Sequence, residues 1–265
     1  HIKLARSAHA IVVAPATADF LARAASGQAG DLLTAVLLAT KAPVLLVPAM
    51  NDQMWAHPQT QKNVAHLRGL GYRVLDPADG ALAAGEGEGP GRMPEPEAIF
   101  EHVGRLLDSG SGSTLAGRSV LVTAGPTREA IDPVRFISNH SSGKMGVALA
   151  SAAWRRGADV SLVAGPLSVA TPTGPAIHRV ESTSEMANAV QSLLPSADVL
   201  IMAAAPADFR PAAPAKSKIK KGASQPNAIA VEQTVDILSS SVAQRRKGTI
   251  VVGFALETDT PLAHG

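Results

Sequence analysis

The stretch Thr123–Gly146, T-A-G-P-T-R-E-A-I-D-P-V-R-F-I-S-N-H-S-S-G-K-M-G, limits what this chain can fold into more than any other. The β-rich run Ser119–Ala124 stops at Gly125-Pro126-Thr127, and a Ser/Gly-rich turn then leads into the helical pattern Val147–Arg156. A strand that ends on glycine and re-enters as a helix brings unpaired N–H groups and the positive end of a helix dipole to one point, where α/β proteins hold phosphorylated ligands. Gly143-Lys144 looks like the close of a nucleoside-triphosphate loop, but that loop needs glycine where Ser138 stands and Ser or Thr where Met145 stands. That reading is excluded.

The same strand and helix alternation runs through the rest of the chain. Strands are expected at Ala10–Pro15, Val44–Pro48 and Tyr72–Asp76, with Thr17 and Asp31 as N-caps of helices Ala18–Ser26 and onward to Thr40. Helices follow at Thr60–Leu70 and Glu97–Leu107, separated by a Gly/Glu loop, Gly80–Gly91. The run Asp108-Ser109-Gly110-Ser111-Gly112-Ser113-Thr114 marks a linker, set at 109–117 between domains 1–108 and 118–265. Beyond it, strands are expected at Ser119–Ala124, Asp159–Ala164, Ile177–Glu181, Val199–Ala204, Ala228–Glu232 and Thr249–Ala255, and helices near Gly146–Arg156, Ser184–Leu194 and Thr234–Arg246. The expected fold class is α/β, with two doubly wound parallel-sheet (Rossmann-like) domains.

Composition narrows the function classes. Aromatics are 3% of the 265 residues and the net charge is +2, which argues against stacking platforms for single-stranded nucleic acid and against a polyanion partner. With no cysteine there is no disulfide, thiolate nucleophile or cysteine metal site, and the eight histidines lack metal-ligand spacing, so no protein-held metal is expected. Apolar runs are too short to span a membrane, and the first residues carry no signal-peptide pattern, which makes the cytoplasm the default location. A start at His1 and a stop just after Phe254-Ala255-Leu256-Glu257-Thr258 suggest a fragment cut at both ends.

Two sets of motifs carry a resemblance. Gly125-Pro126-Thr127-Arg128-Glu129 and Ile137–Gly146 resemble the signature of phosphopantothenate–cysteine ligases. Ala14-Pro15-Ala16-Thr17-Ala18-Asp19, Pro48-Ala49-Met50-Asn51 and Gly89-Pro90-Gly91-Arg92-Met93-Pro94-Glu95 are similar to motifs of flavin-dependent cysteine decarboxylases, of truncated flavodoxin-like fold here. In this order they resemble the bifunctional phosphopantothenoylcysteine decarboxylase/phosphopantothenate–cysteine ligase family of coenzyme A biosynthesis.

That resemblance implies specific roles. In the ligase half, CTP (with Mg2+) activates the carboxylate of 4'-phosphopantothenate as an acyl-cytidylate with loss of pyrophosphate, and the amine of cysteine then displaces CMP. Asn139 would clamp the acyl-cytidylate and Lys218, in Lys218-Ile219-Lys220-Lys221, would meet the phosphates. Met202, Ala203, Ala204, Asp208, Asp236 and Phe254 would contact the nucleotide. Taken alone, Asn139 or Asp208 reads equally as a helix cap, the lysines as a solvated face and Phe254 as core. In the decarboxylase half, His1 would be catalytic, Asn51, Met54, Arg92 and Met93 would hold substrate, and Thr17 with Ala18 would line FMN. Without the resemblance, His1 reads as an exposed terminus and Asn51 as a turn residue. The family's proton-donating cysteine falls at Ala84 here, so the decarboxylase step is expected to be impaired. The resemblance also implies homo-oligomers, trimeric through the first domain and dimeric through the second. The alternative is a non-catalytic, flavin-fold binding or regulatory subunit.

Overall fold

A computed structural model describes residues 1–82, 85, 87–110, 114–220 and 228–255. Ala84, Lys221 and the Leu256-Glu257-Thr258 end of the last motif lie outside them. The chain divides into two compact units, His1–Ser113 and Thr114–Gly265.

In the first unit, α1 (Ile2–Ser7) leads into β1 (Ile11–Ala16), α2 (Ala18–Ala25), α3 (Leu32–Ala39), β2 (Val44–Pro48), α4 (Asp52–Ala56), α5 (Pro58–Gly69) and β3 (Arg73–Val74). The three strands pair in parallel in the order β1-β2-β3. Successive side chains of a strand point to opposite faces. Val44 and Leu46 therefore pack with Phe20, Leu21, Val64 and Leu67, while Leu45 and Val47 pack with Leu106 of α6 (Pro96–Gly110). Thr17 and Asp31 cap α2 and α3 as expected: the Phe20 N–H donates to Thr17 Oγ1 (3.1 Å) and the Thr34 N–H to Asp31 Oδ1 (2.8 Å). Asp31 is held well below the usual carboxylate range, first by the Thr34 N–H and then by Arg23.

Two expectations need correction here. The expected Gly80–Gly91 loop overlaps two antiparallel strands, β4 (Ala78–Ala81) and β5 (Glu88–Arg92), which alternating small residues hide from a hydrophobic-period reading. Helix α6 also runs through Ser109 and Gly110, into the expected 109–117 linker.

The second unit holds a five-stranded parallel sheet in the order β10-β9-β6-β11-β14, made of β6 (Ser119–Ala124), β9 (Asp159–Ala164), β10 (Ala176–Arg179), β11 (Val199–Met202) and β14 (Ile250–Gly253). The chain builds outward from β6 to β10, then returns through α8 (Thr183–Leu193) to lay β11 on the other side of β6. The switch point lies between β6 and β11, and ligands of open α/β sheets bind outside the strand ends at such points. Val120, Val122 and Ala124 face α7 (Lys144–Arg155), whereas Leu121 packs with Met186 and Val190 of α8 and with Ile237.

Helix α7 lies close because Gly146 faces the sheet: a Cβ there would stand 2.5 Å from Ala124 Cβ and 2.7 Å from Thr123 O. Its N-cap, Gly143, has φ +77°, the left-handed region that glycine enters without strain.

Three expected elements differ. The strand at Ala228–Glu232 is instead β13 (Val231–Gln233), which pairs antiparallel with β12 (Phe209–Pro211) outside the main sheet, since exposed Glu232 and Gln233 do not suit a strand covered on both faces. The turn after Thr127 contains the hairpin β7 (Arg128–Ala130) and β8 (Phe136–Ser138). The helix expected over Thr234–Arg246 shrinks to α9 (Ile237–Ser240) and a 3₁₀ turn, Val242–Gln244. Its serines bind local carbonyls, Ser240 Oγ to Ile237 O (3.1 Å) and Ser241 Oγ to Leu238 O (2.7 Å), which competes with helix continuation.

Candidate active site

The ends of β11 and β14 open onto a cleft of about 390 Å³ in the second unit. Met202, Ala204, Asp208, Asp236 and Phe254 all line it, and Ala203 stands between two lining residues. The segment Ala203–Asp208, which forms one wall, has no regular structure of its own, so its shape is set by what grips it.

The grip comes from threonine hydroxyls, buried at Thr127 and Thr183 and half-buried at Thr234. Ala207 is held on both backbone groups: its N–H donates to Thr127 Oγ1 (2.8 Å), and its carbonyl accepts from Thr234 Oγ1 (2.6 Å) and Thr183 Oγ1 (3.3 Å). Thr127 and Thr183 hydroxyls are 2.7 Å apart, so a chain running from Thr127 to Thr183 to the Ala207 carbonyl satisfies every group in it. Buried Glu129 completes the set by accepting the Thr183 N–H on Oε1 (2.7 Å). Upstream, the Ala204 N–H reaches Thr123 Oγ1 (3.1 Å) and the Ala205 N–H reaches Gly125 O (2.9 Å). Thr127, Glu129, Thr183 and Thr234 are thus the residues that shape the wall. Sequence reasoning gave them no such role, although Ser182 and Glu185 make a capping pattern that places Thr183 at the start of α8.

Asn139 does not cap a helix. It is exposed at the end of β8, and its Nδ2 donates to the carbonyl of the cleft residue Pro206 (2.8 Å). Asp236 caps α9 through the Ser239 N–H (3.0 Å) and also accepts from Ser239 Oγ, which hold its carboxyl below the usual range with the hydroxyl bond the larger cause. The carboxylate of Asp208 is exposed and accepts no hydrogen bond among the described residues.

Lys218 is not among the cleft-lining residues. It is exposed on a segment tethered to the β7–β8 turn, where the Ala215 N–H donates to Ile131 O (2.9 Å) and the Ile219 N–H to Asp132 Oδ2 (3.1 Å).

In the first unit, Thr17 and Ala18 follow β1 and Asn51 follows β2, at the same edge of a parallel pair; the Ala49 N–H bonds Ala16 O (3.3 Å) across it. Asn51 caps α4, its Oδ1 accepting the Gln53 N–H (2.9 Å), and Met54 is exposed on that helix. Arg92 and Met93 are brought beside this turn because the Met50 N–H donates to Gly91 O (3.0 Å). Only glycine allows the approach: a Cβ on Gly91 would lie 2.2 Å from Met50 O. Arg92 pairs with Glu95. His1 stands exposed at the start of α1 with no side-chain cap bond.

A cleft at the carboxyl ends of β11 and β14 in a doubly wound sheet, walled by an immobilised strand-end loop and edged by an asparagine, defines the second unit as a ligand-binding α/β domain of Rossmann-like class. The chain belongs to the family of the DNA/pantothenate metabolism flavoprotein C-terminal domain, which residues 115–265 match, and residues 1–108 match the Flavoprotein family.

Over 266 residues it is 51% identical to the coenzyme A biosynthesis bifunctional protein CoaBC of Mycobacterium tuberculosis, covering 97% of this chain and 63% of that protein. The protein of the same description from Vibrio vulnificus is 46% identical over 260 residues, covering 98% of this chain and 64% of that one. The chain therefore spans a little under two thirds of the curated relatives it matches. A crystal structure of the C-terminal domain of a CoaBC protein is 42% identical, covers 56% of this chain and 69% of its own, and has a TM-score of 0.48. Among the described residues no helix is long and apolar enough to cross a membrane, and no group of three or more His, Asp or Glu could hold a metal ion.

Proposed function

We propose that the second unit ligates 4'-phosphopantothenate to cysteine at the expense of CTP, and that the first is an FMN-dependent phosphopantothenoylcysteine decarboxylase whose last step is impaired. The observation that carries the reading is the cleft: Met202, Ala204, Asp208, Asp236 and Phe254, dispersed over some fifty residues of sequence, line one cavity with Asn139 bonded at its edge.

In the ligase, the substrate carboxylate attacks the α-phosphorus of CTP, pyrophosphate leaves, and the cysteine amine then displaces CMP from the acyl-cytidylate. Such catalysis rests on positioning and on fixed dipoles aimed at developing charge. Asn139, held by Pro206 O through Nδ2, keeps Oδ1 to accept from the cysteine amine N–H and a second Nδ2 N–H to donate to the acyl-phosphate. Lys218 would neutralise the triphosphate from its tethered segment. Mg2+ characteristically takes one or two carboxylates and completes its shell with phosphate oxygens and water; of the two exposed cleft carboxylates, Asp236 is engaged by Ser239, so Asp208 suits it better.

In the first unit, Thr17 and Ala18 would hold FMN at the strand edge, and Asn51 and Arg92 would bind the substrate carboxylate and phosphate ends. Bound FMN supplies the two-electron oxidation of the substrate thiol that makes loss of CO₂ possible. The chain carries no cysteine to return the final proton. A purely regulatory subunit has no use for the nucleotide-sized cleft and is not favoured.

The test is incubation with phosphopantothenate, cysteine and CTP, reading pyrophosphate and products by mass spectrometry. Phosphopantothenoylcysteine should accumulate without phosphopantetheine. Absence of pyrophosphate would overturn the ligase, and formation of phosphopantetheine would overturn the impairment.

A further inference from the structure

Lys216–Lys220 has no regular secondary structure, so its lysines are only as well placed as its anchors. The main anchor is Asp132, whose carboxylate is buried in the β7–β8 turn and divides its two oxygens between two tasks. Oδ1 accepts the N–H groups of Val134 (2.9 Å) and Arg135 (2.9 Å) and shapes the turn. Oδ2 accepts Arg135 Nε (3.0 Å) and the Ile219 N–H (3.1 Å), while Arg135 Nη2 donates to Ile219 O (3.0 Å). Both backbone groups of Ile219 are thereby fixed by one ion pair, 84 and 87 positions away in sequence. Arg135 above all, then the converging N–H groups, keeps the Asp132 carboxyl far below its ordinary range, so it is a charged anchor at neutral pH.

We propose that Asp132 is a positioning residue for the ligase: through Oδ2 and Arg135 it holds the backbone at Ile219 and so presents Lys218 to the triphosphate. This rests on the role given to Lys218 above. A segment that finds its place only part of the time binds nucleotide more weakly in proportion to that fraction, while saturating nucleotide draws it back into place.

Asp132→Asn isolates the effect. Its amide oxygen keeps the turn bonds at the Oδ1 position, but its NH₂ faces the Arg135 guanidinium and the Ile219 N–H, donors against donors. The expected result is a KM for CTP raised about tenfold with kcat within roughly twofold of the parent. Lys218→Gln, which removes the charge itself, lowers kcat as well. The double variant should be no worse than Lys218→Gln alone, because the first residue acts through the second.

Limited trypsin digestion reads the tether without activity: cleavage after Lys218 should accelerate in Asp132→Asn relative to the other sites. Should Asp132→Asn fail to fold, Ile219→Pro removes the same bond from the other side, with the same rise in KM expected; trypsin does not cut a Lys–Pro bond, so the tether is then read by faster cleavage after Lys216 and Lys220. An unchanged KM, or additive effects in the double variant, overturns the proposal. Faster cleavage with normal kinetics in both Asp132→Asn and Lys218→Gln overturns the lysine assignment and leaves only the tether, whereas a parent that releases no pyrophosphate overturns the ligase reading itself.

Discussion

In the first unit the turn after β2 is joined to the β4–β5 hairpin by a backbone bond: the Met50 N–H bonds Gly91 O (3.0 Å), and glycine is what lets the two chains approach. In the second, the wall of the cleft is gripped by side chains, with Thr127, Thr183 and Thr234 satisfying both backbone groups of Ala207 in a buried setting. A backbone clamp tolerates changes in neighbouring side chains but not a Cβ at the glycine. A hydroxyl clamp tolerates backbone adjustment but not loss of one oxygen, because a buried N–H is then left unpaired.

Substitutions that attack each clamp separately sharpen this contrast. The largest effect is expected where backbones touch most closely. A Cβ on Gly165 would stand 1.8 Å from Pro126 O, against 2.2 Å from Met50 O for Gly91. Each alanine variant should lose about 3 kcal/mol or more from its own unit, as overpacking at a site that must move backbone does. Denaturant unfolding followed with a probe in each unit would measure it, and an undisturbed second unit in Gly165→Ala would break the comparison. Thr127→Val, nearly the same volume, should cost about 2 kcal/mol by stranding the Ala207 N–H, with loss of nucleotide binding exceeding loss of stability. Helix caps come next: Thr17→Ala and Asp236→Ala should each cost about 1 kcal/mol, and only the second should weaken nucleotide binding.

The smallest effect concerns acid. Asp132 and Asp236 have folded pKa values below their unfolded ones, so the stability they contribute is complete above an unfolded value of about 3.9 and fades as pH falls through the folded values. The second unit should weaken as pH drops below about 4, and Asp132→Asn should flatten that slope; an unchanged slope would remove Asp132 as a contributor.

The glycine clamps were partly legible. Gly89, Gly91, Gly125, Gly143 and Gly146 all stand inside motifs that sequence reading singled out, because close approach demands one residue type and so leaves a mark. The caps at Thr17 and Asp31 were legible for the same local reason. The hydroxyl clamp was not. Thr183 and Thr234 are ordinary threonines until the fold brings them against Ala207, and Asp132 is an ordinary turn aspartate until Ile219 arrives from 87 positions downstream. The hairpins β4–β5 and β7–β8 were missed because their strands are short and poor in apolar alternation.

The sequence by itself determined the two-unit α/β organisation and the identity of the strand-end motifs. Continuous apolar runs in β2 and β6, glycines at backbone contacts and capping side chains are all local demands that each segment must meet alone. Only the tertiary structure decided which strand ends face one another, that Met202, Asp208, Asp236 and Phe254 share a cleft, and that Lys218 is held from the β7–β8 turn and does not line that cleft. Those outcomes follow from the reversal of strand order between β6 and β11 and from hydrogen bonds between residues distant in sequence, which cooperate only once the sheet has closed around them.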